Sequence, residues 1–191
     1  GALARGIVVI IKSGPGIANA AAATALGIDR YRIEHVYNVG VCGVYAHERG
    51  LLGTVVVGLN AVFADTGIET QQGFHSLETM DLPLARTAEG SKIYNIIPLN
   101  DDHIHRAVPR CDFLSVSVVS GTPAVADAMK KRFRVNPEIL LCEDMESAAV
   151  ALVAYRAGLP CTVVRGISNL CGETDHGLWK LKEAARAAQR E

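Results

Sequence analysis

Three carboxylates stand directly before an apolar stretch with helical spacing in "CEDMESAAVALVAY", which runs from Cys142 to Tyr155. Apolar surroundings make a charge costly unless it is paired or hydrogen-bonded, so carboxylates at this place need an explanation. We predict that Glu143 and Asp144 are solvated or cap the helix. Glu146 lies in the first turn of that helix, where the dipole favours a carboxylate by roughly 0.3–1 kcal/mol. If Glu146 is buried, two vicinal hydroxyls of a sugar would supply the donors that it needs.

A second group of polar side chains ends an apolar run in "VVRGISN", from Val163 to Asn169. Arg165, Ser168 and Asn169 follow β-branched residues that are typical of a buried strand. Polar side chains at the carboxyl end of such a strand point towards the crevice in which open α/β sheets bind ligands. The alternative is that Ser168 or Asn169 caps a following helix.

Two glycine-bearing turns would let a ligand approach the backbone. The stretch "SGPGIANAAAA" (Ser13–Ala23) follows a predicted strand and opens a helix, whose N-terminus favours anions. A dinucleotide fingerprint would require Gly in place of Asn19, so the interpretation is a tight strand-to-helix turn. The stretch "NVGVCGV" (Asn38–Val44) carries Gly40 and Gly43 at a strand end, where a ligand site and a plain turn are equally compatible with the residues.

Neither the histidines nor the cysteines have the spacing of a metal site. The six histidines include one close pair, His103 and His105, which we expect in a solvated loop. The five cysteines are widely spaced and form no C-x-x-C pair, so we predict reduced thiols that lie mostly in the core. Nucleophilic catalysis by a cysteine would need a histidine partner that the sequence does not indicate. We therefore expect no metal and no cofactor.

The elements that would position these residues alternate between strands and helices. Six apolar, β-branched runs are predicted to be strands: Gly6–Ile11, His35–Val39, Thr54–Gly58, Ser115–Val119, Glu138–Leu141 and Cys161–Ile167. Four segments have helical patterns: Ile17–Leu26, Pro123–Phe133, Glu146–Ala157 and Leu178–Arg190. Continuous apolar runs favour a sheet covered on both faces, so we predict a single α/β domain with a mixed or parallel sheet. The section Phe63–Asn100 is too long for an ordinary connection and predicts a functional flap or an oligomer-contact segment.

Composition excludes several classes of function. Of the 191 residues, 49% are hydrophobic and 20% are charged, which indicates a folded globular protein. The formal net charge is −1 and the basic residues form no stripe, so we expect no nucleic-acid partner. No apolar run reaches the roughly 18 residues that span a bilayer. We therefore expect no membrane partner. The reduced cysteines predict a cytoplasmic location.

The chain resembles the nucleoside phosphorylase/nucleosidase superfamily in four motifs that occur in the family's order. They are "SGPGIANAA", "NVGVCG", "EDMESAAVA" and "VVRGISN". The motifs span nearly the whole chain and are specific together, although each is weak alone. The resemblance implies a single α/β domain with a central mixed β-sheet flanked by helices. It also implies a small-molecule nucleoside substrate, cleavage of an N-ribosidic bond, and assembly as a homodimer or a larger homo-oligomer.

Within that superfamily the likeness is greatest to the futalosine hydrolases of menaquinone biosynthesis. It rests on "FADTG" (Phe63–Gly67), "GFHSL" (Gly73–Leu77), "VSGT" (Val119–Thr122), and "RGISN" followed by Gly172, Asp175 and Trp179. The methylthioadenosine/S-adenosylhomocysteine nucleosidases are similar but carry Asp at the position of Asn169, so they rank second. The resemblance thus implies hydrolysis of futalosine or its 6-amino-6-deoxy analogue, with release of hypoxanthine or adenine.

The resemblance also assigns roles to individual residues. Glu146 would accept hydrogen bonds from the ribose 2′- and 3′-hydroxyls, and Asn169 would hydrogen-bond the departing purine. Arg165 would support the site or meet a sugar hydroxyl, and Met145 would pack against the sugar. The remaining substrate-binding positions are Val41, Cys42 and Gly43 beside the sugar, Ser120, Gly121, Ala124 and Val125 at the base, and Phe63.

Water and phosphate are the two nucleophiles to be weighed. A phosphorylase must hold a dianionic phosphate under the sugar, which requires arginine donors and hydroxyls. Phosphorylases of the superfamily carry an Arg where this chain has Asn38, and tend to carry Ser or Thr near Val41. The neutral amide and its apolar neighbour favour water. A phosphorylase and a nucleoside-binding module without catalysis are the alternatives.

The residue that would activate the water is not evident. In related nucleosidases this base is a Glu close to the N-terminus, after the first strand, whereas no Asp or Glu precedes Gly14 here. The stretch "GIVVII" aligns best with the family's second or third strand. We therefore expect that residues 1–191 are a nucleosidase domain that lacks its N-terminal strand. An intact mass of 20.3 kDa together with full activity would contradict this.

Overall fold

This computed structural model describes residues 7–46, 49–87, 89–104, 107–133 and 138–190 of the chain. In this part of the chain, eight strands follow one another between the first and the second α-helix, and α-helices and strands then alternate. The strands are β1 (Val36–Val44), β2 (Val55–Phe63), β3 (Gly67–Thr70), β4 (Gly73–Ser76), β5 (Ala85–Arg86), β6 (Lys92–Ile93), β7 (Ile96–Pro98), β8 (Arg110–Ser115), β9 (Leu140–Asp144) and β10 (Cys161–Leu170). The α-helices are α1 (Ile17–Arg30), α2 (Pro123–Phe133), α3 (Ser147–Arg156) and α4 (Leu181–Ala188). Short 3-10 turns cover Arg49–Leu51 and His176–Leu178.

Six of the strands form one sheet, in the order β10-β1-β9-β8-β2-β7. β1 runs parallel to β10, and β8 runs parallel to both β2 and β9. The pairs β1–β9, β2–β10 and β2–β7 are antiparallel. Because β10 also pairs with β2, the strands β10, β1, β9, β8 and β2 close into a ring. The predicted single α/β domain with a mixed central sheet is confirmed.

The helices divide the core into packed layers on different faces of the sheet. α3 packs against β2, β8 and β10, α1 packs on α3, and α4 packs against β10 and β1. α2 contributes Ala126 to a second cluster, in which Leu141 of β9 also lies. The next residue of β9, Cys142, belongs to the main cluster with α3. Since successive side chains of a strand point to opposite faces, Glu143 and Asp144 are directed to different layers.

The predicted helices are confirmed in place, with changes at their ends. α2 has the predicted bounds, and α3 begins one residue late because Glu146 is its N-cap residue. The helix is followed by Gly158, whose φ of 69° is left-handed and typical of a helix stop. α4 begins only at Leu181, since the 3-10 turn at His176–Leu178 precedes it.

The predicted strand over Gly6–Ile11 is wrong. Gly6 lies outside the described residues, and residues 7–14 form neither strand nor helix. Ile7, Val8 and Ile10 are 97%, 75% and 90% exposed. A continuous apolar run becomes a buried strand only when a neighbouring strand takes up its backbone hydrogen bonds. Among the described strands, none pairs with this run.

The predicted strand over Ser115–Val119 is displaced, because β8 ends where the prediction begins. Charged residues conceal the true strand in the sequence. In the structure each has a partner: Asp112 accepts from Asn60 Nδ2 at 2.8 Å, and Arg110 Nε lies 2.9 Å from Asp101. The four other predicted strands exist and extend further, to the ends of β1, β2, β9 and β10. The extensions of β9 and β10 carry Glu143, Asp144, Ser168 and Asn169 of the candidate site.

The section between Phe63 and Asn100 contains two small antiparallel hairpins, β3–β4 and β5–β6, and then β7, which pairs with β2. The sequence did not predict these short strands, since two to four residues give too little periodicity to detect. Asn95 is buried and fixes the start of the section by donating to the carbonyl oxygens of Phe63 and Thr66, at 2.8 and 2.7 Å. The role of the section between Phe63 and Asn100 as a flap or an oligomer contact stays a prediction.

Two further expectations concern the helices and the cysteines. Within the described residues, every helix is too short or too polar to cross a membrane. Four of the five cysteines are buried, as predicted for core thiols, and Cys171 is partly buried. Burial raises the pKa of Cys161 to about 12, which makes its thiol unreactive at neutral pH.

Candidate active site

An ion-pair network centred on Arg165 joins β10 to β9 and to the start of α3. The side chain of Arg165 is 4% exposed, and its Nη1 lies 3.1 Å from Glu146 Oε2. Its Nη2 lies 3.2 Å from Asp144 Oδ2. Burial opposes the charge, but the two carboxylates outweigh it and raise the pKa of Arg165 above its ordinary value. The guanidinium therefore stays charged at neutral pH.

Neutral acceptors also surround the two terminal nitrogens of Arg165, whereas its buried Nε has no acceptor among the described residues. Its Nη1 donates to the Val41 carbonyl at 3.1 Å, and its Nη2 donates to Asn38 Oδ1 at 2.5 Å and to Ser147 Oγ at 3.2 Å. Gly40 pairs with Arg165 across β1 and β10, and a Cβ at Gly40 would lie only 2.6 Å from Nη1. The glycine thus makes room for the guanidinium. Arg165 is therefore bound by groups of β1, β9 and the start of α3, and it supports Glu146 from the buried side.

Glu146 is fixed at both carboxylate oxygens and still has acceptor capacity. Its Oε1 accepts from the backbone N–H of Gly16 at 2.9 Å, and its Oε2 accepts from Arg165 Nη1 at 3.1 Å. The side chain is 16% exposed, so it lies at the edge of the buried network. Each carboxylate oxygen has a second lone pair that remains for a ligand. The sequence predicted the hydroxyls of a sugar as donors to Glu146 and identified neither Gly16 nor Arg165 as one, so the sugar contacts stay a prediction.

Asp144 caps α3, as predicted, but it is buried and not solvated. Its Oδ1 accepts from the backbone N–H groups of Glu146 and Ser147, both at 3.1 Å. The hydroxyls of Ser115 and Ser147 also donate to it, the former at 2.6 Å. These bonds satisfy the first N–H groups of the helix and orient Glu146 at its N-cap.

Glu143 lies on the other face of β9, and the prediction that it is solvated or caps the helix is wrong. It is 6% exposed, and no cation among the described residues pairs with it. Its Oε1 accepts from the Ser120 N–H at 2.9 Å, and its Oε2 accepts from Ser120 Oγ at 2.6 Å and from the Tyr45 hydroxyl. Burial and the nearby Glu143 raise the pKa of Tyr45 well above its ordinary value, so this hydroxyl stays protonated. The predicted strand ends at Leu141. Had it been extended to Glu143, the alternation of side chains along a strand would have placed Glu143 on the same buried face as Leu141.

Asn169 lies at the end of β10 with its amide orientation fixed by two neighbours. It pairs with Gly43 of β1, where a Cβ would approach Nδ2 to 3.1 Å. Its Nδ2 donates to the Leu170 carbonyl at 3.1 Å, and Ser168 Oγ donates to its Oδ1 at 2.7 Å. A carbonyl only accepts, so Leu170 places the amide nitrogen at that end. The second N–H of the amide has no partner among the described residues and can donate to a ligand.

The predicted sugar-side positions lie close to the Arg165 network. Val41 is partly exposed and contributes its carbonyl to Arg165, whereas Cys42 and Gly43 are buried in β1. Met145 is partly exposed and directly precedes Glu146. Phe63 lies apart from this group in sequence, at the end of β2, where it is 7% exposed in the main hydrophobic core.

The predicted base-side positions lie before α2 and in its first turn. Ser120 is buried and Gly121 is partly buried, whereas Ala124 and Val125 are exposed. The Ser120 carbonyl accepts from the Gly172 N–H at 2.9 Å, which brings this segment to the loop that follows Asn169. The alternative in which Ser168 or Asn169 caps a helix is not supported, since Asp175 caps the turn that follows.

Two cavities are lined by residues that neighbour those of the site. One of about 210 Å³ lies beside the base-side segment and is lined by Tyr45, Pro123 and Cys171 among others. The other, of about 150 Å³, lies between α1 and β1 and reaches Asn38 and Ser13. The residues that line the second cavity include no Lys or Arg.

The histidines and acidic residues do not assemble into a metal site in the described part of the chain. No group of three or more His, Cys, Asp or Glu side chains there is placed to hold an ion. His103 is exposed, as predicted, with its ring 5.7 Å from that of His35. His105 lies outside the described residues.

Comparisons with known proteins agree with this architecture. The family described as the phosphorylase superfamily matches residues 1–191. The 5'-methylthioadenosine/S-adenosylhomocysteine nucleosidase of Bacillus subtilis (strain 168) is 30% identical over 175 residues, which cover 88% of this chain and 71% of that protein. An S-adenosylhomocysteine nucleosidase from Streptococcus pyogenes, in complex with 5-methylthiotubericidin, has a TM-score of 0.71 at 19% identity and covers 93% and 73% of the two chains. A futalosine hydrolase mutant of Helicobacter pylori strain 26695 has a TM-score of 0.71 at 19% identity and covers 93% and 75%.

The chain belongs to the phosphorylase superfamily. With relatives that are nucleosidases, it is an enzyme of the N-glycosyl hydrolase class. The resemblance predicted from the four motifs is confirmed at this level, and the solved structures add the fold.

Proposed function

We propose that this enzyme hydrolyses the N-ribosidic bond of a purine nucleoside with a substituent at the ribose 5′ position, in first place futalosine or its 6-amino-6-deoxy analogue. The observation that carries the choice of base is the amide of Asn169, whose second N–H has no partner among the described residues and is available to a ligand. An amide donor matches the N7 or the 6-oxo group of a hypoxanthine leaving group. The amide carries no proton that it can transfer at neutral pH, so it stabilises the departing base by a hydrogen bond.

Glu146 supplies the electrostatic part of the mechanism. Cleavage of an N-ribosidic bond passes through a transition state with positive charge on the sugar. A carboxylate beside the ring gains Coulomb energy as that charge develops, which is stronger binding of the transition state than of the substrate. Glu146 accepts hydrogen bonds from the ribose 2′- and 3′-hydroxyls with the lone pairs that Gly16 and Arg165 leave free. Arg165 and Asp144 hold the carboxylate in place and do not meet the substrate themselves.

Water fits the nucleophile position better than phosphate. The amide oxygen of Asn38, where phosphorylases of the family carry an Arg, is already bound by Arg165 at 2.5 Å. The only cation in this network is thus committed to Asp144 and Glu146 within the described residues. The cavity next to Asn38 has no Lys or Arg in its lining that would hold a dianion.

A substrate panel tests the proposal directly. The enzyme is incubated with futalosine, aminodeoxyfutalosine, methylthioadenosine and inosine, each with and without phosphate, and the free base is measured by chromatography. We expect release of hypoxanthine from futalosine at a rate that does not change with phosphate. Release that requires phosphate would instead identify a phosphorylase, and no release from any nucleoside would leave a binding module.

A methylthioadenosine/S-adenosylhomocysteine nucleosidase is the second candidate, and the curated relatives favour it. In this case methylthioadenosine would be the best substrate of the panel. The matched variant Asn169→Asp separates the two candidates. An Asp can protonate N7 of adenine, so if the amide selects a 6-oxopurine, the substitution should raise the rate on methylthioadenosine relative to futalosine. An unchanged ratio of the two rates would remove Asn169 as the determinant of the base.

A further inference from the structure

Glu143 is a buried carboxylate that the proposed mechanism does not use. Its three hydrogen bonds reach only Ser120 and Tyr45, and it lies on the face of β9 opposite to Asp144. An apolar residue at this place would pack beside Leu141 without any cost of burying a charge. The carboxylate therefore has a function that its bonds should reveal.

We propose that Glu143 is a positioning residue that holds the nucleobase end of the site, an inference that rests on the proposed function. The evidence begins with the segment that precedes α2. Residues 116–122 form no helix or strand. Within them Val118 and Val119 are 82% and 46% exposed, whereas Ser120 is 6% exposed. Ser120 is thus a buried residue that directly follows an exposed part of this segment.

Glu143 makes this anchor with two parallel bonds. It takes both the backbone N–H and the hydroxyl of Ser120, at 2.9 and 2.6 Å, so it fixes the chain as well as the side chain. The Tyr45 hydroxyl donates to the same oxygen and lies 3.4 Å from Ser120 Oγ. Because Ser120 and Tyr45 are both neutral, no cation among them competes for the Glu143 carboxylate, which stays bound to the segment before α2.

The anchor extends to the other half of the base site through backbone contacts. The Ser120 carbonyl accepts from the Gly172 N–H at 2.9 Å. Gly172 has a φ of 91°, and a Cβ there would lie 2.8 Å from backbone atoms of Thr122 and Pro123. The loop after Asn169 therefore rests directly on the segment that Glu143 holds. A shift of Ser120 would change the distance between Asn169 and the first turn of α2, which are the two proposed contacts of the purine.

Binding of the free base to matched variants tests this proposal. Glu143→Leu removes the anchor and leaves the Ser120 N–H and hydroxyl buried without an acceptor. Glu143→Gln keeps an amide oxygen for the N–H, while the two hydroxyls can turn to accept from its NH₂. The control Asp112→Leu removes a partly buried carboxylate from the neighbouring strand, where its amide partner is Asn60. Dissociation constants for hypoxanthine and adenine are measured by calorimetry, with KM, kcat and the melting temperature of each protein.

We expect Glu143→Leu to weaken base binding by at least about tenfold and to raise KM more than it lowers kcat. Glu143→Gln should stay within about threefold of the wild type, which is less than the loss of a buried hydrogen bond. Base binding unchanged in Glu143→Leu, or weakened equally in Asp112→Leu, would overturn the proposal. If Glu143→Leu does not fold, Ser120→Ala takes its place, since it removes only the hydroxyl bond. Wild-type affinity of that variant for the base would overturn the part of the anchor that depends on the hydroxyl.

The wild-type protein separates this inference from the proposed function. If it binds a purine base but cleaves no nucleoside of the panel, the proposed function fails and the anchor is decided by the binding of the variants. If it cleaves a nucleoside of the panel but binds the bases no better than Glu143→Leu does, the proposed function stands and the anchor fails.

Discussion

Two carboxylates that are adjacent in β9 are buried to the same extent and are stabilised in different ways. Asp144 and Glu143 are 5% and 6% exposed. Asp144 lies beside the guanidinium of Arg165 and caps a helix, whereas Glu143 meets only the neutral donors of Ser120 and Tyr45. The alternation of a single strand sends the two side chains to opposite faces, so each network develops independently of the other.

The difference indicates what each network is suited for. The charged network contains Glu146, a carboxylate that must face a positive charge in the proposed transition state. The guanidinium of Arg165, which is permanently charged, keeps the Glu146 carboxylate in position and ionised. The neutral network lies on the other face of β9, and two of its bonds end on Ser120, in the segment that precedes α2. In the proposed mechanism the ion pairs around Arg165 support the catalytic Glu146 on one face of β9, and the hydrogen bonds of Glu143 position a segment on the other face.

Breaking the charged network should have the largest effect on stability. Arg165→Met leaves Asp144 and Glu146 buried without a cation, and removing one partner of a buried pair costs about 3–5 kcal/mol. Urea denaturation gives the free energy of unfolding. The control is Arg49→Met, which breaks a pair with Glu173 whose arginine is 47% exposed and should cost about 1 kcal/mol or less. Equal losses in the two variants would show that the network is not coupled to the fold.

Removing the charge of Glu146 should have the next largest effect, on catalysis. Glu146→Gln keeps the shape of the side chain and loses the Coulomb attraction in the transition state. We expect kcat to fall by at least about 10²-fold, the effect of losing one such electrostatic group. The assay is base release from the best substrate of the panel, with the melting temperature as a control for folding. Near-wild-type turnover would exclude Glu146 from the mechanism.

Displacing Arg165 without removing it should have an intermediate effect. A methyl group at Gly40 would lie 2.6 Å from Nη1, so Gly40→Ala must push the guanidinium away from Glu146. Overpacking of this kind costs about 1–3 kcal/mol, and the activity should fall with it. Gly50→Ala is the matched control, because a Cβ at Gly50 would meet nothing within 4 Å. Full activity in Gly40→Ala would mean that Glu146 does not depend on the position of Arg165.

The sequence predicts the charged network better than the neutral one for a physical reason. Glu146 and Asn169 stand near an end of an apolar element and Arg165 lies inside one, so these polar residue types are unusual at their positions and visible in the sequence. Glu143 has no such signal. Its anchor depends on Ser120 and Tyr45, 23 and 98 residues away in the chain. Such contacts are created by the sheet, and propensity alone does not contain them.

The fold could be predicted at the level of its class and of most of its elements. Continuous apolar runs located β1, β2, β9 and β10, because burial on both faces leaves a direct mark in composition. The same mark failed at Gly6–Ile11, since an apolar run does not state whether a neighbouring strand exists. It also failed at β8, where Arg110 and Asp112 each have a polar partner. Both errors arose because a single segment does not reveal its partners. The first run has no neighbouring strand among the described ones, and the charged residues of β8 have polar partners.

The smallest predicted effect concerns the response of the neutral network to alkali. The folded protein raises the pKa of Tyr45 above its ordinary value of 10.0 through burial and the nearby Glu143. The unfolded chain therefore loses this proton first, and the stability that the hydroxyl contributes is lost as the pH rises above that value. The gap in unfolding free energy between wild type and Tyr45→Phe should narrow by about 1 kcal/mol between the ordinary pKa and about pH 11. Urea denaturation at a series of pH values measures it. The other tyrosines and lysines titrate in both proteins and cancel in the difference, so a constant gap would mean that Tyr45 does not hold its proton for Glu143.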